Sequence, residues 1–143
     1  MTDKRSKIII VDDHALFREG MKLMIEAEEI GEVIGEAENG QAFLDLLDKS
    51  IPDLVLMDIE MPVMDGMEAT IKALALKASL KILMITMTGR KHDFEDMINA
   101  GARGFVLKTA GKLVIENAIK TVMAGDSYFS KEPISNIILH KGT

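Results

Sequence analysis

The residues most able to do chemistry in this chain are acids that follow short apolar runs. Asp12 and Asp13 follow the run at residues 8–11, and Asp58 follows the run at 54–57. Carboxylates held close together repel one another, and a hard cation such as Mg²⁺ relieves that repulsion. The alternative for the first two acids is N-capping of the helix that follows them. Three acids after two such runs favour a metal site.

Two further polar residues lie at the ends of later apolar runs. Thr86 follows the run at 82–85, and Lys108 follows the run at 105–107. A single Thr or Lys at such a position is usually structural or solvated. Beside a metal site, however, a hydroxyl and a cation can hold the oxygens of a phosphoryl group, because phosphoryl chemistry depends mostly on positioning and charge stabilisation.

Five short apolar runs alternate with segments of helical periodicity, which predicts an α/β fold. The runs are mostly continuous, as is typical of parallel strands buried on both faces. We expect a flavodoxin-like, doubly wound, five-stranded parallel sheet of order 2-1-3-4-5 in a three-layer sandwich, which brings the acids to one edge. Strands are expected at 8–11, 33–34, 54–57, 82–85 and 105–107, and helices at 14–27, 41–49, 67–77, 93–100 and 112–124.

Composition excludes several classes of protein. A length of 143 residues suits one domain, and a net charge of −6 argues against direct contact of this domain with nucleic acid. The absence of cysteine excludes disulfides and Cys-ligated zinc. No apolar stretch is long enough for a signal peptide or a membrane span, so we expect a cytoplasmic protein without a membrane partner.

Four motifs together resemble the receiver domain of two-component response regulators, over residues 7 to about 125. They are Val-Asp-Asp-His at 11–14, Met-Asp-Ile-Glu-Met-Pro-Val-Met-Asp-Gly at 57–66, Ile-Thr at 85–86 and Gly-Ala-Arg-Gly-Phe-Val-Leu-Lys at 101–108. The first and last motifs most resemble the NarL/LuxR-type subfamily. The resemblance implies a phosphorylation-controlled switch of two-component signal transduction.

The resemblance also implies the cofactor and the acceptor. Asp58 would take a phosphoryl group from a sensor histidine kinase, with Mg²⁺ bound in the same pocket. Asp13 and Asp58 would ligate the Mg²⁺ through their carboxylates, Glu60 through its backbone carbonyl, and Asp12 mainly through water. Lys108 would pair with the phosphoryl oxygens.

Four positions are expected to respond to the phosphoryl group or to tune its chemistry. By resemblance, Thr86 would turn its hydroxyl toward the phosphoryl oxygens, and Phe105 would turn inward as the aromatic switch residue. Glu60 and Met87 are expected to tune access to the phosphoryl group and therefore its lifetime.

Three neighbours of the motifs carry expectations of their own. His14, as the first residue of a helix, is expected to point away from the acids. Gly66 is expected to permit positive φ ahead of the third helix. Thr109 follows Lys108 where the wider family commonly has proline, which leaves the geometry of that peptide bond open.

We expect a receiver domain at residues 1–125 and a C-terminal linker helix within 126–143, leading toward an output domain absent from this chain. A tail helix at 131–140 would either dock on the domain or serve a partner. NarL/LuxR-type regulators usually carry a helix-turn-helix domain, so the resemblance implies transcription control through DNA binding outside this chain. The resemblance also implies a homodimer as a partner state. The alternative is a stand-alone receiver that acts by protein–protein interaction.

Enzymatic functions are disfavoured, beyond catalysis of the domain's own phosphorylation and dephosphorylation. An aspartate-nucleophile phosphatase would carry an Asp-x-Asp motif after the first strand, whereas Asp58 follows the third. An interaction module without phosphorylation would lack one of the acids or Lys108. Neither a Walker A loop nor a G-x-G-x-x-G motif is present for nucleotide binding.

Overall fold

The computed structural model describes residues 5–87 and 91–129, with the backbone alone at 91–94. Within these residues, five helices flank a six-stranded parallel sheet of order β2-β1-β3-β4-β5-β6. The strands are β1 Lys7–Val11, β2 Glu32–Ala37, β3 Leu54–Met57, β4 Ile82–Thr86, β5 Gly104–Leu107 and β6 Tyr128–Phe129. The helices are α1 Ala15–Ala27, α2 Gly40–Leu47, α3 Gly66–Leu76, α4 Lys91–Ala100 and α5 Lys112–Met123, with a 3₁₀ turn at Lys108–Ala110.

Both faces of the sheet are buried, which explains the continuous apolar runs. Ile8 and Ile10 of β1 pack into the core beneath α1 and α5. Ile9 and Val11, which alternate with them, pack into the second core on the side of α2 and α3. Because successive strand residues point to opposite faces, a strand covered by helices on both sides must be apolar throughout. The predicted flavodoxin-like sandwich is confirmed.

The sheet differs from the prediction at its two edges. β2 is longer than the predicted strand at 33–34, and β6 is a sixth strand that the five-stranded prediction missed. β6 pairs in parallel with β5, and the Tyr128 N–H donates to the Arg103 carbonyl oxygen at 3.0 Å. Gly104 permits this pairing, because a Cβ there would overlap the Tyr128 carbonyl oxygen and lie 2.8 Å from Leu83 Cδ1. Two residues are too few to show strand periodicity in the sequence.

The C-terminal segment was predicted to leave the domain after residue 125. β6 instead returns to the sheet at residues 128–129. The helix predicted at 131–140 lies outside the described residues, so the linker toward an output domain stays a prediction. Among residues 5–87 and 91–129, no helix combines the length and the apolar character that crossing a membrane requires.

Candidate functional site

Three charged side chains that follow the central strands meet at the carboxyl edge of the sheet. Asp12 follows β1 and Lys108 follows β5, with side chains 2% and 5% exposed. Asp58 follows β3 and is 5% exposed. β1 and β3 are direct neighbours, and the Asp58 N–H donates to the Val11 carbonyl oxygen at 2.9 Å. The predicted convergence of the two strand ends is therefore observed.

Lys108 is the internal counterion of the two buried carboxylates. Its Nζ lies 2.7 Å from Asp12 Oδ2 and 3.4 Å from Asp58 Oδ2. The same ammonium lies 4.6 Å from the centre of the Phe17 ring, a distance at which a cation is attracted to the ring face. One positive charge thus faces two buried negative charges, which leaves the pocket with excess negative charge.

That excess charge affects the ionisation of Asp58. Burial and the negative charge of Asp12 raise the pKa of Asp58 to about 6. Lys108 opposes this rise, and so does the Ile59 N–H, which donates to Asp58 Oδ1 at 2.8 Å. Burial and repulsion prevail, so the ionised carboxylate is under-compensated by the protein alone. An added cation would supply the missing positive charge.

The donor atoms in the pocket fit a small divalent cation. One ligand atom from each of Asp12, Asp13, His14 and Asp58 lies within 4.8 Å of the others. The Asp13 side chain is 32% exposed, so the pocket is open to solvent on that side. Carboxylate oxygens with room for water are the environment that Mg²⁺ uses in proteins. Glu60 lies two residues after Asp58 with an exposed side chain, and its backbone-carbonyl contact to the ion stays a prediction.

The capping alternative for the acid pair finds no support in the geometry. α1 begins at Ala15, and its N-cap residue His14 makes no side-chain cap hydrogen bond. The carboxylate of Asp12 instead accepts the His14 N–H at 2.8 Å, ahead of the helix, while its other oxygen contacts Lys108. Asp12 therefore shapes the turn after β1 and faces the pocket.

His14 does not point away from the acids, as the sequence led us to expect. Its Nδ1 lies 3.1 Å from Asp12 Oδ1 and 3.2 Å from Lys108 Nζ. The reason is the backbone conformation of His14, which is the N-cap residue and is extended, with φ −94° and ψ 103°. Its side chain therefore does not take the direction that a residue inside the helix would have. The signal available in the sequence was its position directly after two acids at a strand end.

Arg18 and Phe17 are two site neighbours that sequence reasoning missed. Arg18 Nη1 donates to the Asp12 carbonyl oxygen, and its Nε donates to Glu36 Oε1 at 3.1 Å. The guanidinium thereby ties the turn after β1 to strand β2. Phe17 contacts the Lys108 ammonium with the face of its ring. Phe17 and Arg18 follow His14 by three and four residues, the two spacings at which residues are neighbours along a helix.

The loop after Asp58 is held by a close backbone approach at Gly66. The Gly66 N–H donates to the Ile59 carbonyl oxygen at 2.7 Å, and a Cβ at Gly66 would overlap the Asp58 carbonyl oxygen. The positive φ predicted for Gly66 is wrong, because the described residues with positive φ do not include it; Val63 in the same loop has φ 71°. Glycine is required at position 66 for space, not for its backbone angles.

The predicted switch and access residues occupy different environments. Thr86 is buried at the end of β4, where it pairs with Leu107 of β5. Phe105 is fully buried and so already lies inward. Met87 follows Thr86 with 58% of its surface exposed. The structure places Thr86 and Met87 at the same sheet edge as the acids, and their roles stay predictions.

The peptide bond after Lys108 is not cis, since no cis bond occurs among residues 5–87 and 91–129. Residues Lys108–Ala110 form the 3₁₀ turn that leads into α5. This settles the geometry that Thr109 left open in the sequence.

The raised pKa of Asp58 has a consequence for stability. In metal-free buffer near pH 7.5, Asp58→Asn is expected to raise the free energy of unfolding by on the order of 1–2 kcal/mol. The folded-state pKa of about 6 lies above the ordinary value of 3.8, so ionisation opposes folding. The gain is full above pH 6, shrinks as the pH falls through the range between these two values and is absent below it.

Urea unfolding with a chelator across this pH range measures the effect. Asp126→Asn, at an exposed carboxyl outside the pocket, is the matched control and should change stability little at any pH. A gain from Asp58→Asn that does not vary with pH would contradict the electrostatic cause.

Known proteins have sequences similar to this chain. The family model described as the response regulator receiver domain matches residues 8–120. The transcriptional regulatory protein DegU of Brevibacillus brevis is 32% identical over 138 residues, which are 96% of this chain and 58% of DegU. The transcription regulator BvgA of Bordetella pertussis is 36% identical over 132 residues, which are 92% of this chain and 63% of BvgA. The chain thus spans about three fifths of the length of these two relatives.

Solved structures extend the similarity to the whole fold. A LuxR-family two-component response regulator from Aurantimonas sp. SI85-9A1 has a TM-score of 0.92 and 28% identity, covering 98% of this chain and 100% of that one. The receiver domain of NarL from Mycobacterium tuberculosis has a TM-score of 0.81 and 29% identity, covering 86% and 99%. Relatives and structural neighbours are therefore of the LuxR/NarL type, as the motifs predicted. With the family model matching most of its length, the chain belongs to the response regulator receiver domains.

Proposed function

We propose that this receiver domain accepts a phosphoryl group on Asp58 and uses the modified state to control an output. The observation that carries the proposal is a buried carboxylate beside a second carboxylate and an ammonium. Asp58 is buried at the switch point of the sheet, beside Asp12 and within 3.4 Å of the Lys108 ammonium. In open α/β sheets, ligands bind at this edge.

The chemistry is a transfer between oxygen or nitrogen donors and a carboxylate. An oxygen of the Asp58 carboxylate attacks the phosphorus of the donor, a new O–P bond forms, and the bond to the donor breaks with its electron pair leaving on the donor. The product is an acyl phosphate. Asp58 Oδ1 is held by the Ile59 N–H, whereas Oδ2 faces Lys108. These contacts support the proposal that Lys108 neutralises the phosphoryl oxygens.

A divalent cation, proposed as Mg²⁺, would be held by the carboxylates of Asp13 and Asp58 and the backbone carbonyl of Glu60, with Asp12 acting mainly through water. When bound, it would supply charge stabilisation to the phosphoryl group. Burial and, after it, the negative charge of Asp12 raise the pKa of Asp58, and a bound cation would offset both effects, which supports this donor set.

Phosphorylation would change the packing around the sheet edge. The modification adds about −1.5 to −2 charges. Thr86, buried at the end of β4, is proposed to turn its hydroxyl toward the new oxygens, while the ring of Phe105 on the neighbouring strand stays in the inward position that it already holds. Glu60 and Met87, both exposed in the loops at this edge, are proposed to tune access and phosphoryl lifetime.

We propose a sensor histidine kinase as the donor and the cytoplasm as the compartment, both from membership of the receiver family. Two relatives are named as transcription regulators, and the chain spans only part of their length. The output is therefore proposed to be transcription, through a DNA-binding domain outside this chain, with a homodimer as the active form. As an enzyme, the domain would catalyse only its own phosphorylation and dephosphorylation.

Incubation with acetyl phosphate and Mg²⁺, followed by intact-mass measurement, tests the proposed acceptor. The wild-type chain should gain the mass of one phosphoryl group, and hydroxylamine should remove it, because it cleaves acyl phosphates. Asp58→Asn should show no gain. Asp126→Asn, at an exposed carboxyl outside the pocket, is the control and should be modified like the wild type. A phosphoryl gain that persists in Asp58→Asn would overturn the assignment.

A further inference from the structure

We propose that His14 supplies a nitrogen ligand to the cation in this pocket, so that the site favours Mn²⁺ and Ni²⁺ over Mg²⁺ more strongly than an all-oxygen site would. The inference concerns the cation site of the proposed function and rests on that function. The observation behind it is that one imidazole nitrogen, His14 Nδ1, lies among the carboxylate oxygens of the pocket.

The spacing of the donor atoms matches neighbouring positions around one ion. His14 Nδ1 lies 3.1 Å from Asp12 Oδ1 and 3.5 Å from Asp13 Oδ1. Ligands at right angles around an ion, each bonded at about 2.1 Å, stand about 3 Å apart. A ligand atom of Asp58 completes the group, all within 4.8 Å of one another. A single cation could therefore contact the imidazole and at least two carboxylates with small side-chain movements.

The hydrogen-bonding needs of His14 point to the same conclusion. Its Nδ1 faces the Lys108 ammonium at 3.2 Å, which only donates, and the oxygens of Asp12 and Asp13, which as carboxylates only accept. A neutral imidazole nitrogen carries either a hydrogen or a lone pair, so Nδ1 cannot satisfy both sides at once. A cation bound to Nδ1 and to Asp13, with Asp12 reached mainly through water, would use the lone pair and neutralise both carboxylates.

The remainder of the ring is compatible with this role. The His14 side chain is 62% exposed, so its Nε2–H can stay hydrated while Nδ1 faces inward. The backbone N–H of His14 donates to Asp12 Oδ1 at 2.8 Å, which fixes the residue at the turn. The ring can therefore approach an ion without the cost of burying an unpaired polar group.

The chemistry of the nitrogen sets the expected preference. Imidazole suits transition-metal ions, and affinity rises from Mn²⁺ to Ni²⁺, whereas Mg²⁺ prefers oxygen. Any ion must also tolerate the Lys108 ammonium beside the same oxygens. An added nitrogen bond offsets this repulsion most for Ni²⁺, less for Mn²⁺ and least for Mg²⁺.

Calorimetric titration of the untagged chain with Mg²⁺, Mn²⁺ and Ni²⁺ tests the proposal. The chain has 3 histidines, so His92→Ala/His140→Ala serves as the parent and leaves His14 as its remaining imidazole. In this parent, His14→Ala should weaken Ni²⁺ binding by about 10- to 100-fold, Mn²⁺ binding less, and Mg²⁺ binding by less than about twofold. Asp13→Asn is the matched control and should weaken all three ions.

A spectroscopic measurement separates ligation from an indirect effect of the substitution. Electron spin-echo spectra of Mn²⁺ bound to the parent should show coupling to one nitrogen, and His14→Ala should remove it. Equal weakening of all three ions by His14→Ala, or a spectrum without the nitrogen coupling, would overturn the proposal. Phosphoryl uptake by the wild-type chain with Mg²⁺, measured in parallel, reports on the proposed function separately from the nitrogen ligand.

Discussion

Lys108→Met is expected to lower the free energy of unfolding by about 3 kcal/mol in metal-free buffer at neutral pH. The substitution removes the ammonium that lies 2.7 Å from Asp12 and 3.4 Å from Asp58. Both carboxylates then stay buried without a positively charged counterion. Methionine is of similar length and can keep a favourable contact with the Phe17 ring, so the loss reports charge rather than a cavity.

The same substitution should raise the affinity of the pocket for Mg²⁺ by about tenfold or more, because a like charge no longer stands beside the ion. Because Lys108 lowers the pKa of Asp58, its removal raises that pKa further above the wild-type value of about 6. The stability loss should therefore shrink as the pH falls toward 6, since the Asp58 carboxyl of the variant takes up a proton there while that of the wild type is still ionised. A variant that is less stable but binds Mg²⁺ more tightly is the result expected when the removed residue is an internal counterion.

Urea unfolding and Mg²⁺ titration of the same variant measure both effects. Lys72→Met is the matched control, because Lys72 forms an exposed ion pair with Glu68 at 3.0 Å on the surface of α3. Loss of that pair should lower the free energy of unfolding by less than about 1 kcal/mol. A Lys108→Met protein that binds Mg²⁺ more weakly than the wild type would contradict the counterion role.

Gly66→Ala is expected to lower the free energy of unfolding by about 3 kcal/mol, although it adds only a methyl group. The new Cβ would overlap the Asp58 carbonyl oxygen and stand 2.9 Å from the Asp58 carbonyl carbon and 3.0 Å from Ile59 Cα. All three atoms belong to the backbone, which cannot move aside as a flexible side chain can. Relief of the overlap must displace the loop that carries Asp58.

Gly66→Ala should therefore also slow phosphoryl acceptance, which intact-mass measurement with acetyl phosphate can follow. Gly20→Ala is the matched control, since Gly20 lies inside α1 with nothing within 4 Å of the added Cβ. Alanine in that helix should stabilise the protein by up to about 1 kcal/mol. Equal stability of the Gly66→Ala protein and the wild type would show that the loop relaxes freely.

Much of the fold was predictable because it depends on local patterns. Continuous apolar runs report burial on both faces, and the alternation of such runs with helical segments specifies a parallel sheet. The positions of Asp12, Asp58 and Lys108 at strand ends then follow, because the carboxyl ends of neighbouring parallel strands share one edge. The candidate site was therefore predictable in its residues, although not in their contacts.

Other features depend on contacts between distant parts of the chain. β6 exists because two residues pair with β5 over Gly104, which no periodicity in the sequence signals. Arg18 joins the turn after β1 to Glu36 of β2, a contact between residues 18 positions apart. Propensity and spacing describe neighbours along the chain, and these features arise from neighbours in space.

The acidic pocket shows the same division. The sequence by itself determined which residue types stand at the sheet edge: acids after β1 and β3, a hydroxyl at the end of β4 and a lysine after β5. Only the tertiary structure decided that His14 faces the acids. It also decided that position 66 requires glycine because a Cβ has no space there, and not because the backbone needs a positive φ. Both outcomes depend on where other backbone segments pass, which is a property of the packed chain and not of any local stretch of it.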